Sequence, residues 1–357
     1  MSTTNTGRDA PGRSPAPEQA PTGHGPRPLE PMDPQLQNIQ PGGGWIIHLE
    51  MAWGGLRRWY LKTFRKGYIA RMRELRQGDF NGCPHEVLDP RDLKFHQNQG
   101  GYFWKREDDP FTWRDKIPFA REGLAELIVF SILTFGGAAV FAAIARSMPG
   151  GQIGMIIAWL AATALTVIGI LIVWFFRNPK RPIPTEPGLV VSPADGKVVL
   201  IEEIEYDEFI GGPAVLIGIF LSIFNVHINR SPSAGRVIGL RYKPGKYLNA
   251  LRPESARENE QLAVRMECEE NPNRRMIIRQ ITGAIARRIV CRLKPGDSMQ
   301  RGDIFGMIKL GSRTELVIPR EPGLAIHTKV GEKVKAGASV LAAYEISVTK
   351  SLNVERS

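Results

Sequence analysis

The chain has 357 residues, with 47 Lys and Arg against 36 Asp and Glu, for a formal net charge of +11. Such a surplus selects an anionic partner, nucleic acid or membrane surface, and two long apolar runs decide for the membrane over nucleic acid. The three cysteines (Cys83, Cys268, Cys291) are odd in number and widely spaced, which excludes a disulfide framework and a zinc pattern and suits a reducing compartment.

Met1 leads into Ser/Thr/Pro-rich sequence with no apolar stretch, so no cleavable secretory signal is expected. Residues 1–44 hold nine of the 27 prolines. So little apolar surface cannot offset the entropy of ordering, and the segment reads as a disordered tail. From Trp45 the composition changes. Trp45, Ile46, Leu49, Trp53, Leu56, Tyr60 and Phe64 recur at near-helical spacing among Arg57, Arg58, Lys62, Arg65, Lys66, Arg71, Arg73 and Arg76. A helix of this kind suits an anionic membrane surface, and a basic helix packed on the main domain is the competing reading. Residues 45–120 are therefore taken as a basic amphipathic extension, with no role assigned to its polar part, 77–120.

Residues 127–145 and 153–176 are free of charge, and each reaches the roughly 20 residues an α-helix needs to cross hydrocarbon. With the short link around Arg146 they predict a transmembrane helical hairpin over 121–181. Lys116 and Arg121 precede it, and Arg177, Lys180 and Arg181 follow. Positive charge at both outer ends predicts the N-terminal region and C-terminal domain on the cytoplasmic side of the inner membrane.

Beyond Pro182 the pattern turns to short β-type runs separated by turns. Gly296-Asp-Ser-Met-Gln-Arg-Gly302 is echoed by Gly331-Glu-Lys-Val-Lys-Ala-Gly337, each before an apolar strand. That spacing is similar to the turns of lipoyl-type barrel-sandwich domains. With no lysine set for modification between the two turns, a swinging-arm carrier is not expected. Residues 182–357 thus read as a mainly β (α+β) catalytic domain with lipoyl-like elements, behind the two-helix hairpin.

Three passages in this domain carry chemistry: Val191-Ser-Pro-Ala-Asp-Gly-Lys197, Phe224-Asn-Val-His-Ile-Asn-Arg-Ser-Pro232 and Lys309-Leu-Gly-Ser-Arg313. Singly they are ordinary: Asp-Gly marks turns, a strand histidine usually sits hydrogen-bonded in a core, and Gly-Ser is common in loops. In this order they resemble the phosphatidylserine decarboxylase family, in its short bacterial and archaeal branch. The likeness also takes in Phe176-Arg-Asn-Pro-Lys-Arg-Pro182, Pro244-Gly-Lys-Tyr-Leu-Asn-Ala250 and Gly283-Ala-Ile-Ala-Arg-Arg-Ile289, and runs from about residue 117 to about residue 346.

The resemblance implies a proenzyme that cuts itself between Gly311 and Ser312, turning Ser312 into a covalent pyruvoyl group. His227 would take the serine proton, and Asp195 would fix the histidine tautomer and stabilise the imidazolium. The cut chains would stay associated. The mature enzyme would decarboxylate phosphatidylserine to phosphatidylethanolamine through a Schiff base with that group. For the phosphodiester, Lys246 and Asn249 are the candidate contacts, with an ordinary polar turn as the alternative. Arg287 and Arg288 are weaker candidates. No metal site is expected, and homo-oligomerisation stays open.

Three departures from the family pattern stand out. Arg313 stands where the longer branch has threonine after the cut, and Phe224 stands where that branch has a second histidine. Asn259-Glu-Gln-Leu262 replaces an Asn-Glu-Arg-Asn stretch, which weakens inference about Asn259 and Glu260. Competing readings are a related serine-headgroup lipid such as archaetidylserine, a self-cleaving peptidase that stops at the cut, and a non-enzymatic membrane adaptor with a lipoyl-like domain. The adaptor gives Asp195, His227 and Ser312 nothing to do.

Overall fold

The structure is a computed structural model in which residues 27–75, 95–99, 113, 116–148, 151–269, 274–284, 288–309 and 311–345 are described. Most of the 77–120 stretch, Cys83, His85 and Arg287 fall outside these residues.

Residues 27–44 depart from the disordered tail expected over 1–44. Leu36 and Ile39 are 2% and 1% exposed. The Glu30 N–H donates to the Ile238 carbonyl (2.9 Å), and the Cys291 N–H donates to the Ile39 carbonyl (2.9 Å). Averaged composition hides this, because a few apolar side chains suffice when a folded sheet already offers them a groove. Two helices follow, α1 (Trp45–Phe64) and α2 (Lys66–Glu74), broken at Arg65. The first buries Ile46, Ile47 and Leu61 and leaves Trp53, Trp59 and Phe64 exposed.

The hairpin comprises α3 (Leu124–Arg146) and α4 (Gln152–Phe175), each about 35 Å long at about 1.5 Å per residue. Both are long and apolar enough to cross a membrane. They meet over small residues, with Ala138, Ala158 and Ala162 buried, and a Cβ at Gly169 would stand 2.7 Å from the Phe135 ring. Their outer faces expose large side chains such as Ile132 and Ile153, an arrangement that hydrocarbon tolerates and water does not.

The β domain has fourteen strands among the described residues: β1 (Leu189–Val191), β2 (Gly196–Asp207), β3 (Gly212–Leu221), β4 (Ile228–Arg230), β5 (Gly235–Lys243), β6 (Gln261–Cys268), β7 (Arg275–Ile281), β8 (Arg288–Cys291), β9 (Ser298–Met299), β10 (Ile304–Lys309), β11 (Ser312–Pro319), β12 (Leu324–Ile326), β13 (Lys333–Val334) and β14 (Val340–Tyr344). One short helix, α5 (Ser255–Glu258), interrupts them. The main sheet has the order β13-β2-β3-β11-β7-β6-β5-β9, flanked by the three-stranded sheets β1-β14-β12 and β4-β10-β8. Every residue of β11 is buried, as befits a strand with partners on both edges and cover on both faces.

The echo between glycine-spaced turns is structural. Gly296, Gly302, Gly331 and Gly337 all have φ between +74° and +97°, backbone that a side chain resists. The echo extends to a second pair, Ser192-Pro-Ala-Asp-Gly196 and Ser231-Pro-Ser-Ala-Gly235. Ser192 Oγ donates to the Ala194 carbonyl and Ser231 Oγ to the Ser233 carbonyl. The Gly337 N–H reaches the Ser192 carbonyl and the Gly302 N–H the Ser231 carbonyl, both at 2.8 Å. The two halves clasp each other through Val191 N–H to Pro232 and Arg230 N–H to Pro193. The two turns and the two Ser-Pro corners thus pair in matching ways.

Candidate active site

Residue 311 is where the chain leaves the small sheet and enters the centre of the large one. β10 pairs with β4 on one edge and β8 on the other. β11 then begins at Ser312, opposite Leu221 of β3, with Arg313 opposite Ile281 of β7. Gly311 takes φ +61° to make the turn. Gly283, just past β7, lies against it so closely that an added Cβ would fall on the Gly311 carbonyl oxygen. A glycine is required there by contact rather than by dihedral.

His227 precedes β4, and its carbonyl accepts from the Ile308 N–H at 3.1 Å. Two residues along, Asn229 Nδ2 donates to Thr314 Oγ1 (3.1 Å), and Gln280 Nε2 donates to Asn229 Oδ1 (2.9 Å). In extended chain, residues two apart share a face. The fully buried Asn229–Thr314 contact thus lies two residues along from His227 on one segment and from Ser312 on the other. The Gly311 N–H donates to His227 Nε2 at 3.2 Å, and the His227 Nδ1 lies 2.9 Å from the Asn225 carbonyl. A carbonyl accepts only, so Nδ1 carries the proton and Nε2 keeps its lone pair. Burial lowers the imidazole pKa to about 4 against the opposing pull of the Asn225 carbonyl, and the ring is neutral near pH 7. Ser312 Oγ is buried and has no hydrogen-bond partner among the described residues. An orphaned hydroxyl, a glycine carbonyl before it and a neutral imidazole on the N–H of that same glycine fit the formation of a pyruvoyl group at 312.

Asp195 is elsewhere. Its Oδ2 takes Arg181 Nη2 at 2.6 Å and its Oδ1 takes the Ala336 N–H at 2.8 Å. Burial raises its carboxyl pKa, while Ala336 and Arg181 pull it down. The contact expected between Asp195 and His227 is not made, because the tautomer is fixed by a main-chain carbonyl. Asp195 instead ties the 331–337 turn to the linker leaving α4. The pair Lys246 and Asn249 sits on a loop beside Gly283, with Ala250 Cβ 3.4 Å from the place a Gly283 Cβ would take. The Lys246 ammonium is exposed and paired with Glu258 (2.7 Å), and Asn249 Oδ1 accepts the Leu251 N–H within a turn.

Asn259, discounted from sequence, is fully buried. It accepts from the Leu248 N–H and donates to the Leu248 and Thr282 carbonyls, fastening that loop to the residue before Gly283. Its only sequence signal was the disrupted Asn-Glu stretch. Asn225 was also missed, and could not have been found from side chains because its carbonyl does the work. The Arg313 departure is balanced locally. Its guanidinium is buried and paired with Glu315 (2.8 Å), which also takes Arg279 (3.3 Å).

The hairpin reaches this site directly. The Phe175 ring packs on the His227 imidazole at 4.5 Å between centroids. Arg177 stacks on Trp174 at 4.1 Å and donates to the Phe224 carbonyl at 3.0 Å. Lys309, two residues before Gly311, is ion-paired with Glu126 in the first turn of α3 and donates to Gln40 Oε1 at 3.1 Å.

The family model described as phosphatidylserine decarboxylase matches residues 168–342. A phosphatidylserine decarboxylase proenzyme of Rhodopirellula baltica is 52% identical over 253 residues, covering 71% of this chain and 99% of that protein. The chain belongs to the phosphatidylserine decarboxylase family. Proenzymes of the same description from Chlorobaculum parvum (44% identical over 183 residues, 51% of this chain and 83% of that protein) and Desulfotalea psychrophila (38% over 226 residues, 63% and 96%) are similar too. As a member of this decarboxylase family the chain is a proenzyme and a carboxy-lyase. It makes phosphatidylethanolamine from phosphatidylserine with a pyruvoyl group formed from a serine by autocatalytic cleavage.

Proposed function

We propose that Ser312 is the serine converted, that the cut falls between Gly311 and Ser312, and that His227 is the base. The observation that carries this is the neutral imidazole whose Nε2 accepts the Gly311 N–H, one residue before the orphaned Ser312 hydroxyl. His227 takes the hydroxyl proton as Oγ attacks the Gly311 carbonyl carbon. The imidazolium returns the proton to the residue 312 nitrogen as the C–N bond breaks, leaving an ester to Ser312 and a free amine. Loss of the residue 312 Cα proton expels the Gly311 carboxylate and leaves dehydroalanine. Its imine form adds water and releases ammonia, so the ketone ends on residue 312 and the chains are 1–311 and 312–357.

A pyruvoyl group at 312 supplies a carbonyl that takes up the substrate amine and accepts the electron pair freed as carbon dioxide departs. Phe224 has no proton to give, so His227, in contact with residue 311, is the candidate donor to the substrate carbon. Asp195 acts by holding the 331–337 turn and Arg181. Lys246 and Asn249 keep a place as phosphate contacts, with Lys246 exchanging Glu258 for the lipid. The charge at both outer ends of the hairpin supports a cytoplasmic catalytic domain on the inner membrane. The basic, aromatic face of α1 supports contact with anionic lipid.

Ser312→Ala should stay one chain and release no carbon dioxide from phosphatidylserine. The wild-type small chain should show an amine-free N-terminus by mass spectrometry. A free Ser312 amine would turn the reading into simple proteolysis.

A further inference from the structure

An apolar cleft of about 370 Å³ opens between the domain end of α4, the start of α3 and the 223–224 turn. That volume is in the range of small-molecule sites, about 300–1,000 Å³. Ile168, Leu171, Ile172, Trp174, Ile223 and Phe224 form its walls. Leu171, Trp174 and Phe224 are 44%, 53% and 60% exposed. In water such a cleft would be an unpaired hydrophobic surface, but both helices that frame it are long and apolar enough to cross a bilayer.

The inner end of the cleft is different in chemistry. It is lined by Phe175, whose other side rests on the His227 ring, and by the Lys309–Glu126 pair. Lys309 stands two residues before Gly311. The cleft therefore runs from a surface facing hydrocarbon to within one side chain of the cut, and its charge is confined to the inner end. Phe224, at the position where the longer branch has histidine, contributes an apolar wall.

We infer that this cleft seats an acyl chain of the phosphatidylserine substrate, with the lipid's polar end turned towards Lys309 and the residue 311–312 junction. The inference rests on reading Gly311–Ser312 as the reacting centre. The occupant is an acyl chain because the walls offer nothing for a headgroup to bond and the substrate carries two such chains. An aromatic ring added at Leu171 would occupy the space the chain needs, while a substrate with no acyl chains would not meet it.

The full-length protein in lipid nanodiscs is given phosphatidylserine with a diazirine on one acyl chain, photolysed and digested. Label is expected on the peptides holding 168–176 and 223–224, and should fall several-fold with excess unlabelled phosphatidylserine. Label spread over the outer faces of both helices, at Ile132 or Ile153, and indifferent to competitor would overturn the inference. Leu171→Trp should raise KM for long-chain phosphatidylserine by about tenfold or more and leave KM for glycerophosphoserine unchanged. Equal loss on both substrates would overturn it. Gel analysis of the same samples separates the two ideas. An uncut chain defeats the reading of the reacting centre, whereas a cut, active enzyme labelled elsewhere defeats only the acyl-chain seat.

Discussion

In the proposed reaction the imidazole of His227 is a neutral base because it is enclosed, not because a carboxylate activates it. Burial lowers its pKa to about 4, below the ordinary value near 6.5. Self-cleavage of the folded precursor should therefore hold a constant rate from pH 8 to about pH 5 and drop as pH passes below about 4. A rate midpoint near 6.5 in stopped time courses would contradict the enclosure argument. The same shift acts on stability with a fixed sign. The unfolded chain binds the proton first, so the native state loses stability as pH falls from about 6.5 to about 4 and this group adds no further loss below that. His227→Ala should accumulate uncut chain, while Asp195→Asn should still cleave. Complete failure of Asp195→Asn to cleave, with the fold intact by circular dichroism, would restore the carboxylate to the reaction.

Among the elements, β10, β11 and the end of β7 meet where the cut is proposed. Gly283→Ala would push a methyl group into the Gly311 carbonyl. Overpacking of this kind typically costs about 1–3 kcal/mol, and here it falls on the carbonyl of the proposed cut. The variant should fold and slow self-cleavage by about tenfold or more, by about 1.4 kcal/mol in barrier, read as precursor remaining on denaturing gels. Wild-type cleavage kinetics would rule out a role for that contact. The strand pattern after Pro182, the hairpin and the paired glycine turns were legible because each depends on local periodicity or on φ. The Asn229–Thr314–Gln280 network and the Asn259 clasp were not, since they join residues 11 to 85 positions apart through side chains that alone look like any polar residue.

At the scale of the whole molecule, cleavage would cut the backbone without dividing the fold. The small chain would supply β11 to the middle of the eight-stranded sheet, between β3 and β7, and β12 and β14 to another sheet. The two products should co-elute on gel filtration under native conditions and part only in denaturant. Release of the small chain in mild buffer would contradict the strand order. The hairpin, the 27–44 segment and the catalytic domain also converge on one point, through Phe175 on His227 and through Lys309 with Glu126 and Gln40. Protease added to sealed inside-out vesicles should digest the catalytic domain, and protection there would reverse the proposed sidedness.

Side-chain type and spacing along the chain were enough to announce the two long apolar helices and the β-rich domain, since each is a short-range pattern. The Gly-Ser junction and the histidine stood out only through the order of several motifs. Three matters were settled only by folding. These are which carbonyl holds the histidine proton, that Asp195 turns to Arg181 and Ala336, and that part of a proline-rich tail is packed. Each of the three is a choice among partners distant in the chain. Such choices depend on distance and enclosure, and neither exists until the sheets have closed.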